Sequence, residues 1–226
     1  MRAITQLKPM EESFFHFIFN KLKPISTLVL CEGDTDVTIL KAVIKKLGLL
    51  LDSTGITDCE GIKNEPKIVW AITSLTAIAR KLENIIAIVD ADEDGYYIKA
   101  MKIIDSLRSR GINIENIEPV KCSKQVFKTT IKTSKNINLI ITVNGIQELP
   151  FNTHEIEDHI VQLLILEDEI DLQNIQSFNN AKEALGHLGR LDKNEYMRII
   201  ESSHDENVEK AFNHIVCSLY IIRSLS

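Results

Sequence analysis

The chain has 226 residues, 44% of them hydrophobic, which is enough for one large domain, or a domain with an appendage, around a normal core. Its formal net charge of −6 argues against a protein that coats nucleic acid nonspecifically. Cys31, Cys59, Cys122 and Cys217 are scattered without a C-x-x-C pair, so neither a zinc cluster nor a disulfide framework is indicated, and burial as small apolar residues is expected.

Residues 1–25 are predicted to be a short helical leader whose Phe-rich face packs on the rest of the chain. Residues 26–150 alternate strands and helices, which predicts an α/β fold: a Rossmann-like, mostly parallel sheet with helices on both faces. The predicted elements are a strand near Leu28, a helix ending at Leu47, a possible strand over 54–59, a loop over 61–66, a helix over 67–82, a strand ending at Val89, a helix ending at Ser109, and a strand pair over 126–133 and 137–144.

The pattern changes to helices only after Pro150, so residues 151–226 are predicted to be an α-helical C-terminal extension. The predicted helices span 153–166, 179–188, 193–202 and 206–223. The apolar segment 211–225 is shorter than a membrane span and carries polar residues, and no signal peptide is indicated. A protein of the reducing cytoplasm, not associated with a membrane, is therefore expected.

The first motif is TLVLCEGDTD at residues 27–36, an apolar run that ends in acids. Gly33 permits a tight turn, which leaves Glu32 at the carboxyl end of a buried strand, where ligands and catalytic groups gather in open α/β sheets. Asp34 and Asp36 fall at the start of the following helix, where an acid can cap the helix or interact with its dipole. Capping is the expected role of these two residues.

The second motif is IIAIVDADEDG at residues 85–95. Its carboxylates repel one another, by about 4 kcal/mol per pair at 4 Å and an effective dielectric of about 20, and a cation removes that cost. If the chain stays extended, Asp90 and Asp92 lie on the same side of the strand end. Hard oxygen ligands with room for water and phosphate suit Mg²⁺ or Mn²⁺, and Asp94 is a further candidate ligand.

Together the two motifs resemble the Toprim domain, the catalytic module of type IA and II topoisomerases, DnaG-type primases, OLD-family nucleases and small stand-alone proteins. That family's signature is a strand ending in Glu-Gly with an Asp three residues on, then a strand ending in Asp-x-Asp-x-x-Gly. The resemblance covers about residues 26–145. It implies that Glu32 acts as general acid or base, or as a metal ligand, and that Asp90 and Asp92 bind metal.

Two acids after the core are candidates for a second metal, by the same resemblance: Glu157 and Asp158. The alternative is a solvated helix start whose acids interact favourably with the helix dipole. His154 and His159 are five residues apart, which makes them a poor zinc pair on one helix face. His214 carries no recognisable signal.

The segment 119–147 contains no acidic residue but five lysines, Lys121, Lys124, Lys128, Lys132 and Lys135. Lys121, Lys124 and Lys128 are candidates for contacts with a nucleic-acid backbone, and Lys124 also for a clamp on charge developing in phosphoryl transfer. The alternative is that these lysines protect an edge strand from aggregation.

Two other families share part of the second motif. An EF-hand loop is excluded because its twelfth position, which needs a bidentate Glu, is Met101 and because the preceding segment is strand-like. A haloacid-dehalogenase-like phosphatase also has a strand followed by Asp-x-Asp, but that motif normally opens the domain and has Thr or Val where Asp94 stands.

These observations favour an enzyme that performs Mg²⁺- or Mn²⁺-dependent phosphoryl transfer on nucleic acid, most plausibly a small Toprim nuclease. The chain has no room for a topoisomerase gate and no primase modules. The alternative is a module that binds a metal-nucleotide or an RNA end, without turnover, in a larger assembly. DNA or RNA is the expected partner, and a protein partner or a homo-oligomer remains open.

Overall fold

The structure is a computed structural model that describes residues 5–6, 25–49, 53–59, 67–78 and 81–225. The predicted N-terminal leader lies outside the described residues except at Thr5–Gln6, which form a strand, and at Ile25. The predicted loop over 61–66 also lies outside them.

Seven strands form one sheet in the order β1-β3-β2-β4-β7-β6-β5. The strands are β1 (Thr5–Gln6), β2 (Thr27–Cys31), β3 (Thr54–Asp58), β4 (Asn84–Asp90), β5 (Glu118–Val120), β6 (Ser123–Ile131) and β7 (Ile137–Asn144). Strands β1, β3, β2, β4 and β7 are parallel, and β6 and β5 continue the sheet antiparallel. The predicted mostly parallel sheet is confirmed.

The described residues include eight α-helices and one 3-10 turn. The helices are α1 (Asp34–Lys46), α2 (Lys67–Ile78), α3 (Tyr96–Ser109), α4 (Glu157–Leu166), α5 (Ala181–His187), α6 (Lys193–Ser202), α7 (Asp205–Ala211) and α8 (Asn213–Leu225), with the 3-10 turn at Leu172–Ile175. The predicted alternation up to Ser109 and the all-helical C-terminal part are both confirmed.

Helices cover both faces of the sheet, and alternate residues of each central strand enter two different cores. In β2, Val29 and Cys31 join the core formed with α1 and the C-terminal helices, whereas Leu28 and Leu30 join the core formed with α2 and α3. Burial on both faces is why parallel strands appear in the sequence as unbroken apolar runs. The C-terminal helices therefore complete one of the two helical layers.

Two predicted helices differ from the structure in the C-terminal part. The first begins at Glu157 because His154 is held in a backbone bridge with Asp92, in which each N–H donates to the other's carbonyl at 2.8 and 2.9 Å. The predicted helix over 206–223 is two helices, broken at Phe212. This break separates α7 from α8 and lets the first turn of α8 approach the end of β7.

Strand β6 lies inside the sheet between β5 and β7, so the edge-strand explanation for Lys124 and Lys128 is wrong.

The expectation that the four cysteines are buried without disulfides is wrong for one pair, because Cys122 and Cys217 form a disulfide between the β5–β6 turn and α8. Cys31 and Cys59 are buried and free, as expected.

The described residues contain no helix with both the length and the apolarity needed to cross a membrane.

Candidate functional site

Glu32 and Asp90 meet at the carboxyl edge of the sheet. Strands β2 and β4 are parallel neighbours with Cys31, the last residue of β2, opposite Ile88, and β4 continues two residues further to Asp90. The backbone N–H of Asp90 donates to Glu32 Oε2 at 3.2 Å. Glu32 lines a pocket of about 650 Å³ between α2 and α3, whereas the Asp90 side chain is directed to the opposite face, where α1 and α4 begin.

Asp36 is the third acid at this edge, and it does more than cap a helix. Its Oδ2 accepts the N–H of Gly33 at 2.9 Å, which is a capping contact at the start of α1. Its Oδ1 accepts Asn144 Nδ2 at 3.0 Å, and the residue is only 5% exposed. The expected capping role of Asp36 is confirmed, but the residue is buried and not a solvated helix start. Its position in the Glu-Gly-x-x-Asp signature was the signal that could have identified it.

Asn144, the last residue of β7, joins Asp36 to Asp90. Its Nδ2 also donates to Asp90 Oδ1 at 3.0 Å, so one amide group bridges the two carboxylates. Asp90 Oδ1 additionally accepts the backbone N–H of Ile156, at 3.1 Å, from the turn before α4. The Asp90 carboxylate is therefore held by two segments, the end of β7 and the turn before α4, that are both more than 50 residues from it in sequence.

Glu157, in the first turn of α4, completes the group. It is 2% exposed, and its Oε2 has no hydrogen-bond partner among the described residues. Its Oε1 lies 3.8 Å from Lys182 Nζ. Glu157 also lines a groove of about 730 Å³ between α1 and α6. A solvated helix start is therefore the wrong description of Glu157.

The carboxylates of Glu32, Asp36, Asp90 and Glu157 are hereafter called the carboxylate cluster. Burial is the main reason that its acids have raised pKa values, and mutual repulsion adds to it. Burial and the charges of Glu157 and Glu32 raise the pKa of Asp36 to about 7 against the hydrogen bond from Gly33. Burial likewise raises the pKa of Glu157 to about 7, although Lys182 opposes the shift.

Burial also raises the pKa values of Glu32 and Asp90, the two acids at the strand ends. Burial and the charge of Asp36 raise the pKa of Asp90 well above its usual range, against the hydrogen bond from Asn144. Burial raises the pKa of Glu32, while the nearby Lys99 lowers it by a smaller amount. A raised carboxyl pKa suits proton transfer near neutral pH, and it also means that the ionised cluster needs a counter-charge.

Asp92 and Asp94 lie beside the cluster and each pairs with a lysine. The chain does not stay extended after β4, because Asp92 has a φ of 56°. The Asp92 carboxylate is 58% exposed and pairs with Lys99 Nζ at 2.6 Å, so the predicted arrangement with Asp90 and Asp92 on one side of an extended strand is wrong. Asp94 pairs with Lys102 at 2.7 Å. Both acids line the same pocket as Glu32.

Lys99 is a site residue that the sequence analysis missed. Burial opposes the charge of Lys99, but the hydrogen bond that its Nζ donates to Asp92 and the charge of Glu32 raise its pKa. It is the first lysine after the second motif and lies one turn into α3, which was the available signal. This cation, and not Lys124, lies next to the carboxylates.

Asp158 is directed away from the cluster although it follows Glu157 directly. Its Oδ2 accepts the N–H of Ile146 at 2.8 Å and lies 2.8 Å from His154 Nδ1. The side chain is fully buried, and burial raises its pKa. Asp158 and Glu157 therefore do not share an ion-pair partner, and Asp158 holds the loop after β7.

The lysines of segment 119–147 face acids from neighbouring segments. Lys124 pairs with Glu148 and lies 5.6 Å from the centre of the Tyr96 ring. Lys128 lies 3.7 Å from Glu118, and Lys121 is in the turn between β5 and β6. The local charge of this stretch is therefore lower than its own sequence indicates. Phosphate contacts by Lys121, Lys124 and Lys128 stay a prediction.

No group of three or more His, Cys, Asp and Glu side chains that could hold a metal ion is found within the described ranges. The carboxylate cluster is thus an incomplete ligand set as it stands. Such a set is compatible with Mg²⁺, which usually binds one or two protein carboxylates and completes its shell with water and substrate phosphates.

Comparison with known proteins gives a family and one distant structural likeness. A family model described as "Protein of unknown function (DUF3226)" matches residues 26–213. Among solved structures, the C-terminal region of the OLD protein of Xanthomonas campestris pv. campestris is 15% identical, with 88% of this chain and 98% of that chain covered and a TM-score of 0.39. A search of curated proteins found no match.

Proposed function

The chain belongs to the family described as Protein of unknown function (DUF3226), and we propose that it is a Mg²⁺- or Mn²⁺-dependent phosphoryl-transfer enzyme of the Toprim kind that cleaves nucleic acid. The observation that carries this proposal is the carboxylate cluster at the carboxyl edge of the sheet. Its members come from three separate segments of the chain, and helix capping by Asp36 accounts for one of the four acids but not for the burial of Glu32, Asp90 and Glu157 beside it.

The residues that would hold the ion are Asp36 and Asp90, whose carboxylates share the Asn144 amide. Both offer hard carboxylate oxygens, which Mg²⁺ and Mn²⁺ prefer. The partnerless Oε2 of Glu157 is a further oxygen on the same face of the sheet as Asp36 and Asp90. When bound, the ion would polarise a phosphoryl oxygen and stabilise the charge that develops on it.

Glu32 is the proposed proton-transfer residue. It is the member of the cluster that lines the pocket between α2 and α3, and burial raises the pKa of its carboxyl, which favours proton transfer. Lys99 lines the same pocket and supplies a positive charge for a phosphate. In this proposal Lys99 takes the clamping role that the sequence analysis gave to Lys124.

A haloacid-dehalogenase-like reaction has less support. It would require the Asp90 carboxylate to attack a phosphoryl group directly. Asp90 Oδ1 instead accepts hydrogen bonds from Asn144 and from Ile156 N–H, which reduce its nucleophilicity, and the side chain is on the face away from the Glu32 pocket.

The proposal predicts that replacing Glu32 with Gln lowers Mn²⁺-dependent cleavage of labelled DNA or RNA by about 10²- to 10⁴-fold, the usual contribution of a positioned acid or base. Initial rates would be measured on single- and double-stranded substrates of both kinds, with and without EDTA. Glu93→Gln is the matched control, because Glu93 is an exposed acid in the neighbouring loop and is expected to keep full activity.

The same assay separates the enzyme from the binding module. A wild-type protein that binds labelled nucleic acid in the presence of Mn²⁺ without cleaving any of the four substrates would favour the non-catalytic alternative. If Glu32→Gln cleaves as fast as wild type, Glu32 is not the proton-transfer residue. A contaminating nuclease would then explain the activity.

A further inference from the structure

Asn144 holds the two inner carboxylates of the cluster together. Its Nδ2 lies 3.0 Å from Asp36 Oδ1 and 3.0 Å from Asp90 Oδ1, and Asn144 itself is fully buried. A primary amide has two N–H donors on one nitrogen, so it can donate to two carboxylates at once. A buried pair of acids that lacked this bridge would be left with uncompensated repulsion.

His214 contacts the other end of the same amide. Its Nε2 lies 3.1 Å from Asn144 Oδ1, and its Nδ1 has no hydrogen-bond partner among the described residues. His214 is in the first turn of α8 and is 1% exposed. The contacts of the two ring nitrogens assign the one proton of a neutral imidazole to Nε2, which then donates to Asn144 Oδ1.

The ring of His159 packs against the ring of His214. The two rings are stacked, with their centres 4.1 Å apart. His159 Nδ1 lies 2.7 Å from the carbonyl of Ala211, and its Nε2 accepts the N–H of Gly145 at 3.0 Å. Both ring nitrogens of His159 are therefore used, which fixes the ring next to the end of β7.

The direction of the Asn144 amide decides whether the cluster can exist. With Nδ2 toward Asp36 and Asp90, the amide donates to both acids. If the amide turned over, its carbonyl oxygen would face two carboxylates and add to their repulsion. A donor at His214 Nε2 favours the first orientation, because that nitrogen then needs the carbonyl oxygen on its own side.

We propose that Asn144 and His214 form a positioning pair, in which His214 orients the Asn144 amide so that Asp36 and Asp90 stay close enough to share one divalent cation. The part concerning the cation rests on the proposed function. The orientation of the amide does not depend on it. Neither residue contacts the reacting atoms, so the pair acts through the two acids.

The first test uses the metal-free protein and NMR with ¹⁵N-labelled histidine and asparagine. Wild type is expected to show His214 protonated on Nε2 and slow exchange of the Asn144 side-chain amide. In His214→Gln the glutamine amide can still donate near the Nε2 position, so exchange is expected to stay slow. In His214→Leu, which has no donor, exchange is expected to become at least tenfold faster.

The second test measures Mn²⁺ affinity by isothermal titration calorimetry in the same three proteins. Loss of a residue that orients a metal ligand typically costs about 10- to 100-fold in affinity, so His214→Leu is expected to fall in that range and His214→Gln to stay near wild type. Ser218→Ala is the matched control. The Ser218 hydroxyl lies 2.6 Å from Thr142 Oγ1 and donates to the backbone carbonyl of His214 at 2.7 Å, so it joins α8 to β7 through the helix backbone and not through the Asn144 amide.

Equal amide protection in wild type and His214→Leu would overturn the positioning pair, as would a wild-type His214 protonated on Nδ1. A loss of Mn²⁺ affinity as large in Ser218→Ala as in His214→Leu would also overturn it, because general loosening of α8 would then be the cause. If His214→Leu does not fold, the calorimetry compares Asn144→Leu, which has no side-chain donor, with Asn144→Gln, which keeps the amide. Wild type that binds no Mn²⁺ would contradict the proposed function, while the NMR result would still decide the amide orientation.

Discussion

Raising the pH from about 4 to about 7 is expected to remove on the order of 4 kcal/mol of stability through the carboxylate cluster of the metal-free protein. His159 and His214 act in the opposite direction, because burial lowers their pKa values, so the effect of the acids is measured as the difference between wild type and Asp36→Asn. The acids of the carboxylate cluster have higher pKa values in the fold than in the unfolded chain, and those of Asp36 and Glu157 are raised to about 7. At these acids the folded state therefore binds more protons than the unfolded state in this window. Stability is fully present below the unfolded pKa values and is lost as the pH rises through the folded ones.

Urea unfolding at a series of pH values, in EDTA, measures this dependence. Asp36→Asn is expected to flatten the profile, whereas Glu93→Gln, which removes an exposed acid, is expected to leave it unchanged. Mn²⁺ is expected to stabilise the protein more at pH 8 than at pH 5, because only the ionised acids bind it well. A change in stability between pH 4 and 7 that is the same in wild type and in Asp36→Asn would show that the acids are not buried together, because His159 and His214 contribute equally to both proteins.

Removing the Cys122–Cys217 disulfide is expected to lower the free energy of unfolding by up to about 4–5 kcal/mol, the chain-entropy value for a closed loop of on the order of 100 residues. The two residues are 95 positions apart. The disulfide ties α8, which carries His214, to the turn before β6, so its loss is also expected to weaken the positioning of Asn144.

Chemical denaturation of the oxidised protein, the reduced protein and the Cys122→Ser/Cys217→Ser variant gives the value directly. Cys59→Ala is the control, because Cys59 is buried and free. Two reactive thiols in the untreated native protein, or equal stability of all three forms, would contradict the presence of this bond. The prediction of a reducing compartment used the cysteine pattern in part, and it loses that support because disulfides persist mainly in oxidising environments.

Much of the fold could be predicted from the sequence, because parallel strands buried on both faces produce apolar runs that stand out. Glu32 and Asp90 could be placed together for the same reason, since each acid directly follows such a run. The positions of Asp92 and Asp36 were harder to predict. The turn at Asp92 leaves the extended conformation, and Asp36 has the same local pattern whether its side chain faces solvent or the core.

The contribution of the C-terminal part could not be predicted. Glu157 reaches the cluster because the bridge between His154 and Asp92 docks the start of α4 on the second motif. His214 reaches Asn144 because the last predicted helix breaks at Phe212. Both contacts join residues that are distant in sequence, and no local periodicity encodes them.

The central claim is that the carboxylate cluster binds a divalent cation for phosphoryl transfer. Its most direct test is anomalous diffraction from crystals soaked with Mn²⁺ and a cleavage-resistant phosphorothioate oligonucleotide. The proposed function predicts an anomalous peak at about 2–2.5 Å from carboxylate oxygens of Asp36 and Asp90, with a phosphate oxygen in the same shell. The peak should be absent from the Asp36→Asn/Asp90→Asn variant. Bound oligonucleotide with no Mn²⁺ peak at the cluster, or with the peak elsewhere on the surface, would contradict it.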